Sequence, residues 1–66
     1  MINVQVNRIV TRLLYVARVK GFEPFNTFDD LVVYTRDSFG VSDVIAKVAA
    51  STACAKSDAP LVKPNA

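Results

Sequence analysis

The sequence contains no histidine and no tryptophan, and its only cysteine is Cys54. Without histidine, the side chain most often used for general acid–base chemistry is missing. A structural zinc site would have to be assembled from one thiolate and carboxylates, which is not a set that holds structural zinc. One cysteine forms no intramolecular disulfide. Glycine is as scarce: Gly21 and Gly40 are the only two, and both fall where helices are expected to stop, so no glycine-rich phosphate loop exists. The most apolar stretch is interrupted by Arg8, Arg12, Arg18 and Lys20, which leaves no run of about 20 apolar residues to cross a bilayer. The segment Met1–Asn7 has no basic region ahead of an apolar one, so it does not have the form of a signal peptide. Together these absences predict a non-enzymatic protein with no metal and no cofactor, and the lone thiol suits a reducing, cytoplasmic setting.

What is present is apolar for its size. The chain has 66 residues, 52% of them hydrophobic, and a mean hydropathy of +0.28. A domain this short buries only roughly 60% of the surface its unfolded chain exposes, and its core rarely supplies more than about 3–5 kcal/mol. Small proteins are therefore often reinforced by disulfides, a metal or association with another chain. With the first two missing, association is the expected reinforcement.

Hydrophobic periodicity predicts a mainly α, three-helix mini-domain over residues 1–56, followed by an extended tail over residues 57–66. In the first segment Val6, Ile9, Val10, Leu13, Leu14 and Ala17 recur at helical spacing, opposite Arg8, Thr11, Arg12, Tyr15 and Arg18. This helix is expected to run to Gly21, with Arg18 and Lys20 in its last turn. Ile2, Val4 and Val6 also alternate with polar residues at a period of two, so a short N-terminal strand is an alternative start. Thr27 suits an N-cap, with Asp29 and Asp30 in the turn that follows. Phe28, Leu31, Val32, Thr35 and Phe39 then share a helical face, although Leu31–Thr35 is rich in strand formers. Gly40 ends this helix and Ser42 caps the next, whose core face is read as Val41, Val44, Ile45, Val48 and Thr52. The other side of that helix carries a stripe of small residues, Ala46, Ala50 and Ala53 with Cys54. A helix that is apolar or small nearly all round is commonly buried on more than one side. Beyond Lys56, Pro60 and Pro64 favour an extended conformation.

Charge is segregated along the chain. Residues 1–20 carry Arg8, Arg12, Arg18 and Lys20 and no acid, a charge of +4. Residues 21–43 carry Glu23, Asp29, Asp30, Asp37 and Asp43 against Arg36, a charge of −4. These two regions could neutralise each other within one chain or pair between chains. Alternatively, Arg8, Arg12 and Arg18 around Tyr15 could form a basic stripe for a nucleic-acid backbone or an anionic membrane surface.

The segment Phe39-Gly40-Val41-Ser42-Asp43-Val44-Ile45-Ala46-Lys47-Val48-Ala49 resembles the turn and recognition helix of helix-turn-helix repressors, whose turn often reads Gly-Val-Ser. The resemblance implies a small DNA-binding regulator with Lys47 and Ser51 as base or phosphate contacts. The family pattern has a small residue four before the glycine and an apolar one two before it. Here those residues are Arg36 and Ser38, and Asp43 at the start of the would-be recognition helix repels phosphate.

The reading favoured by the whole sequence is a protein-interaction or assembly subunit, acting with copies of itself or within a larger complex. Its expected partner-binding residues are Ala46, Ala50 and Ala53 on the third helix and Arg8, Arg12 and Tyr15 on the first. Leu61 and Val62 are the contact residues expected of the tail as an arm. Chains of this kind occur among viral structural accessories and host-directed inhibitors, an association of class alone.

Overall fold

A computed structural model describes residues 2–64, and the side-chain surroundings of residues 4–64. Among these residues the chain forms three helices, α1 (Ile2–Ala17), α2 (Phe28–Phe39) and α3 (Asp43–Lys56), in a small globule. The mainly α fold expected from the periodicity is the fold observed. α3 packs against both α1 and α2, which touch each other only marginally, so α3 is the element that holds the molecule together.

The helix starts follow from local chemistry. Thr27 is extended (φ −135°, ψ 162°), and its hydroxyl accepts a hydrogen bond from the Asp30 amide at 3.1 Å. Ser42 does the same for the Ile45 amide at 3.3 Å. Each cap satisfies one of the amides that a helix leaves without an internal partner at its N-terminus. Gly40 ends α2 in the left-handed region (φ 64°, ψ 38°), and its amide donates to the Arg36 carbonyl at 2.9 Å. Only glycine adopts that conformation without a side-chain penalty.

Two local alternatives resolve toward helix. Val4 and Val6 belong to α1 and not to a strand. Val6 joins Ile9, Val10 and Leu13 on the buried face while Val4 stays exposed, a division set by the helical period. The strand formers Leu31–Thr35 are likewise helical, because Leu31, Val32 and Thr35 fall on one face and are buried there. The Thr35 hydroxyl, wholly buried, donates to the Leu31 carbonyl at 2.8 Å and so leaves no polar atom unpartnered. α1 is shorter than expected, ending at Ala17. Beyond it the Arg18 amide bonds to the Tyr15 carbonyl and the Val19 amide to that of Val16, at 3.0 and 3.1 Å, in a tighter turn. Gly21 (φ 86°) redirects the chain, and Arg18 and Lys20 lie outside the helix.

The third helix is rotated from the expected orientation: Val41 and Ile45 of the expected core face pack half-buried against the core, but the face that is fully buried is the alanine stripe. Ala46, Ala49, Ala50 and Ala53 have 0% of their surface exposed, whereas Val44 and Val48 of the expected core face are 71% and 46% exposed. The reason lies in the position of α3. A helix wedged between two others can approach both closely only through small side chains. The bulk that fills the core comes from Ile9 and Leu13 of α1 and Leu31 and Val32 of α2. Interior packing at crystal-like density makes small residues on the central element complementary to large ones on its neighbours.

The tail is extended but docked on its own chain. The Phe25 amide donates to the Leu61 carbonyl at 2.8 Å and the Lys63 amide donates to the Phe25 carbonyl at 2.7 Å, a parallel bridge between Phe25 and Val62. Leu61 is buried in the core and Val62 half-buried at its edge. Pro60 and Pro64, which carry no amide hydrogen, flank this pairing and leave it to the residues between them. An aromatic group covers the same end: Phe25 lies 5.1 Å from Tyr34 and 6.3 Å from Phe22, ring centre to ring centre.

Candidate interaction surface

The residues expected to bind a partner separate into two sets. Ala46, Ala50 and Ala53 are within the core of the single chain, and Leu61 joins them there, so none of these four presents a surface to another molecule. Helix packing inside the monomer consumes the small-residue stripe, and the bridge to Phe25 consumes the arm. Arg8, Arg12 and Tyr15 are different, because all three are exposed on the side of α1 that faces away from α3.

That outward face has a definite composition. Val4, Arg8, Thr11 and Tyr15 follow one another at intervals of four, three and four residues, and are therefore in line along the helix. Val4 is 58% exposed and Tyr15 62%, and Val19 just beyond the helix is 50% exposed. The Arg12 guanidinium lies 5.7 Å from the centre of the Tyr15 ring, within reach of a cation–π contact. A shallow open depression of about 390 Å³ is lined by Val4, Asn7, Arg8 and Thr11. No acidic residue occurs on α1.

No acid among the described residues pairs with the cations of this face. Among the described residues the ion pairs are Arg36 with Asp37 at 3.3 Å and Arg36 with Asp43 at 3.0 Å, both exposed, and neither includes a residue of α1. The hydrogen bonds that Arg36 donates to Asp43 and Asp37 raise its pKa, and the pair with Asp43 ties the end of α2 to the start of α3. Among the described residues no acid of α2 pairs with a cation of α1; both helices lie on α3 and touch each other only marginally.

The other outward faces differ. On α2, Asp30, Val33, Tyr34 and Asp37 are exposed in one stripe, acidic at both ends and apolar between. On α3, Val44, Lys47, Val48, Ser51 and Ala55 are exposed. Sequence reasoning missed Val44 and Val48 as surface residues because their spacing is equally that of a core face. The signal that could have found them is the alanine stripe itself, since a helix apolar all round can bury only the side that its neighbours fit. Cys54 is half-buried, and burial raises its thiol pKa, the setting of an unreactive cysteine. Among the described residues no group of three or more cysteine, aspartate or glutamate side chains is placed to hold a metal ion, and no helix is long and apolar enough to cross a membrane. The chain matches no family model, no curated protein and no solved structure.

Proposed function

We propose that the chain is a non-enzymatic assembly subunit that binds protein through the outward face of α1, with Arg8, Arg12 and Tyr15 as its central contacts. The observation that carries this reading is the combination on that face of exposed Val4, Tyr15 and Val19 with arginines that have no acidic partner among the described residues. Tyrosine and arginine are the residue types that dominate the energetics of protein interfaces, because each offers a large contact area together with directional polar groups. A role as an accessory of a larger assembly, in a cytoplasmic or viral setting, is the finer form of the same reading. Its test is the native mass of the purified chain beside a Val4→Ser/Tyr15→Ser variant. Loss of the two exposed apolar side chains should lower the native mass while helix content and thermal midpoint stay unchanged. An unchanged mass would refute the assignment of this face.

A second reading, a small DNA-binding regulator, is supported by the three-residue connection Gly40–Ser42 between two capped helices and by exposed Lys47 and Ser51 on α3. Against it, Val44 and Val48 occupy the same face, and Asp43 stands at its start. Salt-sensitive binding of duplex DNA, lost in Lys47→Ala, would favour this second reading.

A further inference from the structure

We infer that the partner of the α1 face is the outward face of α2 on a second copy of the chain, so that copies join head to tail. This inference rests on the reading of α1 as a protein-binding face and names its occupant.

The two faces match in pattern as well as in sign. On α2, Asp30 and Asp37 lie two helical turns apart, about 10 Å, and bracket the exposed Val33 and Tyr34. On α1, Arg8 and Arg12 precede the exposed Tyr15, and Arg18 follows it just past the end of the helix. Each face thus offers an apolar and aromatic centre flanked by charge, basic on α1 and acidic on α2, where Asp37 also pairs with Arg36. Their segments carry +4 and −4, as counted from the sequence. Within one molecule the faces cannot meet, since α1 and α2 both turn their inner sides to α3 and touch only marginally. Pairing like faces would oppose arginine to arginine or aspartate to aspartate, whereas pairing unlike faces opposes cation to anion along the whole contact. The contact is therefore heterologous: each copy uses one face to bind and leaves the other free for the next. A nucleic acid or an anionic membrane would use the basic face alone and leave the acidic and apolar face of α2 without a partner.

The experiment uses two full-length variants that each remove one face. Arg8→Glu/Arg12→Glu inverts the α1 face, and Val33→Arg/Asp37→Arg inverts the α2 face. All four positions are exposed, and circular dichroism confirms that each variant keeps its helices. In low salt the wild-type chain should sediment with a mass that rises with concentration, while each variant alone should sediment as a monomer. An equimolar mixture should regain a mass above that of the monomer, because each variant retains the one face that the other needs. If the α1 variant loses assembly and the α2 variant keeps it, the pairing with α2 is overturned while the α1 face stands. If the α1 variant assembles like the wild type, both are overturned. A mixture that stays monomeric, or a wild-type chain whose mass rises only on addition of duplex DNA or anionic vesicles, overturns the pairing.

Discussion

Ala50 shows at the level of a single residue how an apt observation can carry the wrong consequence. The stripe of small side chains at 46, 50 and 53 is plain in the sequence, and close helix approach is its correct physical meaning. What the sequence does not show is which helix approaches, since a small side chain fits a neighbour in the same chain as well as one in another. The structure places α1 and α2 there, with no exposed surface at Ala50. Replacing Ala50 by Glu should therefore bury an unpaired carboxylate at a cost of several kcal/mol, comparable with the whole stability of a small domain, roughly 5 kcal/mol. Circular dichroism should show loss of the helical signal. A variant that stays helical and merely loses mass would place the stripe at an interface between chains. Cys54 offers a gentler probe of the same packing. Burial raises its thiol pKa, so at pH 8 less thiolate is present than in the unfolded chain. Alkylation of the folded protein should be slower than in denaturant at that pH, and should accelerate as the pH is raised. Equal rates would mean that the thiol is solvated.

Among the elements, those with local punctuation were legible and those fixed by packing were not. Thr27, Gly40 and Ser42 act through hydrogen bonds and backbone angles within a few residues, and each stands in the structure where the sequence puts it. The start of α1, the choice of helix for Leu31–Thr35 and the rotation of α3 depend on distant partners, which periodicity alone does not identify. The tail is the clearest case. Two prolines correctly imply an extended chain, but its docking depends on Phe25, some 35 residues earlier, whose free backbone groups receive it. Leu61 is consequently a core residue. Leu61→Ala should lower stability by about 2–4 kcal/mol, the usual cost of removing a buried leucine side chain, seen as a large fall in the urea midpoint. A midpoint within experimental error of the wild type would mean that the tail is only laid over the surface.

For the molecule as a whole, the sequence reveals the segregation of charge but not its arrangement in space. Opposite charges in neighbouring segments could have met within one chain. Among the described residues no ion pair joins the two helices that carry them, each of which packs on α3. Of the candidate surface, Arg8, Arg12 and Tyr15 were therefore identifiable from composition and period, whereas their lack of an internal partner required the fold. The result is a small globule with a basic side, an acidic side and apolar residues exposed on both, which is the physical basis on which we propose association. The central claim is that this association is electrostatically directed through α1. Sedimentation equilibrium of the unmodified chain across sodium chloride concentration tests it most directly. The screening length falls from about 30 Å at 0.01 M to about 3 Å at 1 M, so the native mass should exceed that of the monomer in low salt and fall toward it as salt is added. A monomer at every salt and protein concentration, or an assembly indifferent to salt, would contradict the account.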